Sequence, residues 1–278
     1  MAGKTRTDAR RQAVKRSQPT PFACWFCAER LRLVAAGLAC RNGHLVPEQA
    51  DGFFDLWPPD RKAPAIDTFG TPLGWAYDLG VNNRTLARLT ASLEWGTDVT
   101  RMYGLMEEAL KLEPGQVALD VPVGGGTSFG EGAPGLRGLL VGIDLSPVML
   151  RRAARRRARH RLGKRVLLAR GDATRLPLVA GSVDRVLCFN GLHVIPDRGA
   201  AMAEFARVLK PGGELVGTVL VSDGPAPFSG VVGLERLASF FVPPTTGELR
   251  SLAKRFGFSR WEQDLEGALL YFRGEIRP

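Results

Sequence analysis

The chain has 278 residues, of which 45% are apolar and 24% charged, which places it among soluble globular chains with one main domain and an appendage. No apolar run approaches the roughly 18 residues that a membrane helix needs. The basic start MAGKTRTDARRQAVKRSQPT lacks the apolar segment of a secretory signal, so a cytoplasmic protein is expected, in which four cysteines read as thiols or metal ligands rather than disulfides.

The net charge of +10 is unevenly spread: residues 1–20 carry a net +5 and residues 151–165, RRAARRRARHRLGKR, a net +9, leaving a mildly acidic remainder. Such segments suit nucleic acid, an anionic membrane surface, or a solvated helix face, and composition does not choose among them. Residues 1–20 are expected to form a disordered basic tail.

Residues 21–57 are short of core and rich in loops. They contain Cys24-x2-Cys27, then twelve residues, then Cys40-x3-His44. Three thiolates and one imidazole at this spacing suit tetrahedral zinc, and a ribbon of this size would draw stability from the metal. All four ligands belong to one site and leave no open position, so the expected Zn2+ is structural; unbound thiols in a small module are the alternative. Residues 58–113 open with a Pro-containing linker and continue as a helical cap. In TDVTRMYGLMEEALKL, Val99, Met102, Leu105, Met106, Ala109 and Leu110 recur at the spacing of one helical face, with Thr97 or Asp98 as cap.

From residue 114 to 278 strands alternate with helices. QVALDV, LRGLLVGIDLS, RVLLARGDA, VDRVLCFNGL and GELVGTVLVSD read as strands, with SPVMLRRAARRRARHRL and GAAMAEFARVLK as helices among them. SRWEQDLEG and ALLYFRGEI form an antiparallel edge, turning near Glu266-Gly267. The expectation is an α/β fold with a doubly wound, mostly parallel, seven-stranded Rossmann-like sheet, a small N-terminal zinc ribbon and a helical insert.

In such a sheet ligands bind beyond the carboxyl ends of the strands. There the first strand ends in Asp120 and a turn with Gly124, Gly125 and Gly126. Neither a dinucleotide fingerprint nor a phosphate loop is present, because Phe129 stands where the last glycine would be and no lysine follows. An acid before the turn would repel a pyrophosphate and suit a cofactor with an ammonium or sulfonium. Asp144 ends the second strand, where a carboxylate can accept from both hydroxyls of a ribose. Asp172 ends the third, within reach of an adenine amino group. Asn190 and His193 follow the fourth.

These segments, VALDVPVGGGT, LVGIDLSPVML, RGDATRLPLVAGSVDRVLCFNGLHVIPD and ARVLKPGGELVGTVL, resemble a class I S-adenosylmethionine-dependent methyltransferase over residues 116–278. The resemblance implies that Asp120, Gly124 and Gly126 hold the methionine part of S-adenosylmethionine, Asp144 the ribose, and Asp172 with Ala173 the adenine. Leu145 would pack around the adenine, and Asn190 would touch cofactor or acceptor. Pro122 replaces the family's first glycine, which is acceptable only where its missing N–H is not needed. CWFC, CRNGH and the following DGFFDLWP are similar to the zinc module of rRNA guanine methyltransferases, whereas the helical insert and fourth strand are not.

The apolar insert points to a small-molecule methyl acceptor. The zinc module and basic segments point to RNA as the alternative, and a non-catalytic S-adenosylmethionine-binding protein is the third reading. His193 is the candidate general base, or else a hydrogen-bonded pocket histidine. Trp95, Tyr103 and Tyr77 fit either a lid over a planar acceptor or core packing. Cys188, in an apolar run, reads as core. The oligomeric state is not encoded legibly.

Overall fold

The computed structural model describes residues 18–62, 84–130, 136–238 and 242–277, apart from the side chains of Arg84 and residues 234–238. Of the expected tail, residues 1–17 lie outside the described residues, as do most of the linker and Tyr77, while residues 18–20 are not a loose tail but part of a strand paired in the ribbon.

Four short antiparallel strands open the chain, β1 (Gln18–Ala23), β2 (Arg30–Val34), β3 (Gly37–Ala39) and β4 (Leu45–Val46), in the order β1-β2-β3-β4. They do not fold apart from the rest. Phe22 bridges to Leu178, the Ala23 N–H donates to the Pro177 carbonyl at 2.9 Å, and the Val179 N–H donates to the Pro21 carbonyl at 2.8 Å. Phe22, Leu31 and Leu38 are fully buried in the same apolar cluster as Leu119, Val141 and Phe205 of the main body. A ribbon of this size cannot enclose a core alone, and it leans on the sheet's core instead.

The main sheet runs β11-β12-β10-β9-β6-β7-β8-β5, where β5 is Phe54–Asp55, β6 Val117–Asp120, β7 Leu139–Asp144, β8 Val166–Arg170, β9 Val183–Phe189, β10 Leu209–Leu220, β11 Phe258–Glu266 and β12 Leu269–Ile276. Strands β5 to β10 are parallel, and β12 pairs antiparallel with both β10 and β11. The parallel strands are apolar without alternation because helices cover both faces. All seven expected strands are present, including the terminal antiparallel pair with its turn at Glu266-Gly267. An eighth is added: Phe54 and Asp55 pair with Ala169 and Arg170 and cover the open edge of β8. Two residues are too few to show a strand period, so only the exposed edge of β8 defines this strand.

Helices α1 (Arg84–Glu94) and α2 (Thr100–Ala109) form the insert. Met102, Tyr103, Met106 and Ala109 are buried in a cluster with Leu187, Phe189, Val216, Leu220 and Tyr271. Asp98 supports the start of α2 by accepting the Thr100 N–H at 2.9 Å. Helix α3 (Pro147–Arg159) starts as its sequence predicts, with Ser146 accepting from the Met149 N–H at 3.1 Å and Pro147 in the first turn. Helices α4 (Arg198–Val208), α5 (Phe228–Ala238) and α6 (Thr246–Arg255) complete the set. Among the described residues no helix is long and apolar enough to cross a membrane.

Candidate cofactor site and metal cluster

Strand order reverses at β6, with β7 on one side and β9 on the other, so a crevice opens beyond the carboxyl ends of these strands. Pro122 sits where the chain turns out of β6. Its neighbours make the ladder bonds: the Val121 N–H donates to the Leu187 carbonyl and the Val123 N–H to the Ile143 carbonyl, both at 2.9 Å. No donor is demanded of residue 122, which is why proline is tolerated there. Gly124 and Gly126 have φ of +52° and +78°, in the left-handed region that glycine enters without steric cost. At Gly126 space is also decisive, since a Cβ would lie 2.4 Å from Cζ of the buried Phe129.

The turn and the second acid are built together. Asp144 is buried; its Oδ2 accepts the Gly124 N–H at 2.8 Å and its Oδ1 the Ser146 N–H at 2.9 Å. Two backbone donors fix the carboxylate plane. Gly125 lies between these positions and Leu145 is exposed, available to an aromatic base. Asp120 is 3% exposed and accepts a short bond from the Ser128 hydroxyl. Burial pushes its carboxyl up to about 7; the Ser128 bond opposes this and the charge of Asp144 adds to it. A cation brought beside Asp120 would ionise it. Ser128 was not singled out from sequence, although it stands in the segment after the glycine turn.

Asp172 follows β8. Its Oδ1 accepts from the Thr174 N–H at 2.8 Å and the Thr174 hydroxyl at 2.7 Å, while Oδ2 pairs with Arg61. Ala173 is half-buried beside it. The structure thus brings Asp120, Asp144, Asp172 and the glycine turn to one end of the sheet. Asn190 joins them with φ +52°, uncommon for a side-chain-bearing residue. It is held there by its N–H to the Thr218 carbonyl at 2.8 Å, by the Thr218 hydroxyl donating to its Oδ1 at 3.0 Å, and by its Nδ2 at 3.5 Å from Met102 Sδ.

His193 is placed differently from a general base. It is 2% exposed, and its Nδ1 accepts the Leu220 N–H at 3.3 Å. Burial, with the nearby Arg198 charge, pushes its pKa down to about 3, so the ring is neutral and its one lone pair is engaged. It fastens the end of β10 instead. Trp95 and Tyr103 belong to the apolar cluster under the insert. Cys188 is fully buried, as its apolar run predicts.

A second cluster lies in the ribbon. Cys24 Sγ is 3.5 Å, Cys27 Sγ 3.5 Å and Cys40 Sγ 3.3 Å from His44 Nδ1, and Cys27 and Cys40 sulfurs are 3.7 Å apart. Zn–S bonds of about 2.3 Å and Zn–N bonds of about 2.0 Å in a tetrahedron place sulfurs roughly 3.8 Å apart and sulfur roughly 3.5 Å from nitrogen. All four donor atoms lie within 4.8 Å of one another, so the donor set and its spacing fit zinc.

Residues 119–217 match the methyltransferase domain family. A demethylmenaquinone methyltransferase of Deinococcus radiodurans is 36% identical over 194 residues, 68% of this chain and 73% of that protein. The 27-O-demethylrifamycin SV methyltransferase of Amycolatopsis mediterranei is 33% identical over 60% of this chain and 61% of its own. The structure of a Haemonchus contortus phosphoethanolamine N-methyltransferase in complex with S-adenosyl-L-methionine shares the fold, with TM-score 0.58 and 19% identity over 76% of this chain and 58% of that one. Across the first five curated relatives the chain spans between 26% and 64% of their length. The fold and the acid-and-glycine crevice define a Rossmann-like protein of the adenosine-cofactor type. The chain belongs to the class I S-adenosylmethionine-dependent methyltransferases.

Proposed function

We propose that the protein transfers a methyl group from S-adenosylmethionine to a small, apolar, planar or lipid-like acceptor, and that Cys24, Cys27, Cys40 and His44 hold one structural zinc. The observation that carries the acceptor class is the apolar roof. Met102, Tyr103 and Met106 of α2 are buried over β9 and β10, and Met102 reaches Asn190 at the carboxyl end of β9. The Trp95 carbonyl accepts the Ala268 N–H at 2.7 Å, which ties α1 to the same end of the sheet. The demethylmenaquinone and rifamycin relatives act on acceptors of the class such a roof suits.

S-adenosylmethionine, when bound, supplies a methyl carbon activated by its sulfonium. The residues of this chain bind and orient. Asp144 and the Gly124–Gly126 turn take the ribose and methionine, Asp120 meets positive charge, Asp172 with Ala173 takes the adenine, and Leu145 covers it. The roof excludes water and aligns the acceptor, and positioning supplies most of the acceleration. No side chain is assigned as base, since the His193 lone pair is occupied and a base is needed only where the acceptor loses a proton.

Helix α3 and the turn after it support RNA as a second reading: Arg155 and Arg159 on the helix and Arg161 and Lys164 beyond it are exposed in a segment without acids. One incubation tests both. Methyl-labelled S-adenosylmethionine and an extract from cells lacking the gene are mixed with the protein and divided into organic and RNA fractions. Label in the organic fraction is expected. Ribonuclease-sensitive label in the RNA fraction would replace the small-molecule reading. Cofactor binding with no label in any fraction would make the protein a non-catalytic binder.

A further inference from the structure

We propose that Arg61 is a positioning residue of the cofactor site, which holds Asp172 for the adenine amino group and closes the adenine end of the crevice. The proposal rests on the cofactor assignment above. Its basis is how the chain leaves the ribbon. After β5 pairs with β8, the Leu56 N–H donates to the Arg170 carbonyl at 3.0 Å. Trp57 then folds the chain back, its N–H donating to Asp55 Oδ1 at 3.1 Å and its indole N–H to the Arg61 carbonyl at 2.9 Å. The Arg170 guanidinium lies over the Trp57 ring at 5.2 Å, and its Nε donates to the Leu145 carbonyl at 3.3 Å. One small loop is thereby fastened beside both residues expected to border the adenine.

The loop also grips Asp172 and its neighbours. Arg61 Nη1 pairs with Asp172 Oδ2 and donates to the Thr174 hydroxyl at 2.9 Å. Asp60 takes both bonds from Arg175 Nη1, at 2.6 and 2.7 Å, and the Arg175 guanidinium stacks 4.8 Å from the ring of Trp25 in the metal-ligand loop. These contacts add little to folding. The Arg61 and Asp172 side chains are 41% and 18% exposed, and pairs of that kind contribute little to stability. They do fix a carboxylate. With Oδ1 given to Thr174 and Oδ2 oriented by Arg61, the remaining lone pair of Oδ2 has a set direction, which an amino-group donor can use without reordering the side chain.

The test is calorimetric binding of S-adenosylhomocysteine and of its analogue with hypoxanthine in place of adenine, which has no amino group to donate. Arg61→Ala is expected to weaken S-adenosylhomocysteine roughly fivefold, the size of one modest hydrogen bond, and to leave the analogue unchanged. Arg61→Lys should restore part of the loss, and Asp60→Ala should preserve the discrimination between the two ligands. Unchanged or tighter binding of S-adenosylhomocysteine to Arg61→Ala would overturn the proposal, as would an equal loss for both ligands. Asp144→Ala should weaken both ligands alike. A wild-type protein that binds neither would overturn the cofactor assignment itself, an outcome distinct from any difference confined to Arg61.

Discussion

The ribbon and the cofactor end of the main sheet hold their shape in different ways. In the ribbon, strands of two to six residues are arranged around four converging side-chain donors, and the apolar residues complete a core that belongs to the larger body. At the candidate cofactor end, buried parallel strands covered by helices set the frame, and the candidate cofactor-binding acids are fixed by backbone amides and hydroxyls. Under the proposed zinc assignment, removing a donor from the ribbon should remove part of what organises it. Under the proposed cofactor assignment, removing an acid from the crevice should leave the frame standing and weaken cofactor binding. The regions meet at residues 55–61, where the ribbon's exit borders the adenine end.

The largest effect that would break this contrast is metal removal. Structural zinc contributes on the order of 10 kcal/mol in small modules. Cys40→Ser or chelation is expected to lower the melting temperature sharply and open the ribbon to proteolysis, with about one zinc per chain found beforehand by elemental analysis. A chain that is metal-free yet equally stable would show that borrowed core alone holds the ribbon. Next is Asp144→Ala, which should leave the fold intact by circular dichroism while cofactor affinity drops about 100-fold, from the loss of hydrogen bonds to a charged group. A melting temperature that falls as far as with Cys40→Ser would erase the distinction.

Gly126→Ala sharpens the comparison, because there frame and function coincide. The added Cβ meets Phe129 at 2.4 Å with φ at +78°, so a cost of roughly 2 kcal/mol in a thermal melt is expected, together with weaker cofactor binding. An unchanged melting temperature would show that the turn can relax. The smallest effect is on pH. The carboxyl of Asp120 is raised from 3.8 to about 7 in the folded chain, so between those values the folded state binds more protons than the unfolded state. Its contribution to stability is present below about pH 4 and lost as the pH rises through about 7. A cationic ligand favours the carboxylate, so cofactor affinity should rise toward pH 7 and level off above it. Asp120→Asn should flatten that profile; a profile of equal slope in the variant would assign the titration elsewhere.

Much of the fold was legible because it repeats a local period. Apolar runs ending in acids mark β6 and β7, an apolar run followed two residues on by Asp172 marks β8, and Ser146-Pro147 marks the start of α3. The candidate metal cluster was legible in part from spacing, since one short turn brings Cys24 to Cys27 and another Cys40 to His44; that the two pairs meet is set by the fold. The proposed acceptor roof was legible only as an apolar face, because a helix spacing names no partner. From its place after β9, His193 read either as a base or as a hydrogen-bonded pocket histidine; its lone pair is committed to Leu220, 27 residues away, a partner that no local pattern shows.

By itself the sequence determined the alternation of strands and helices, the acid at or just beyond the end of each of three strands, the glycine turn and the two close spacings Cys24-x2-Cys27 and Cys40-x3-His44, since these depend on neighbours within a turn or a strand. Only the tertiary structure decided that Phe54 and Asp55 extend the main sheet, that Ser128 caps Asp120, and that Arg61 reaches Asp172 across 111 residues. The physical reason is that each of these is a pairing of polar groups or strand edges left over after local structure has formed, and only the packed core sets which of them lie close enough to meet.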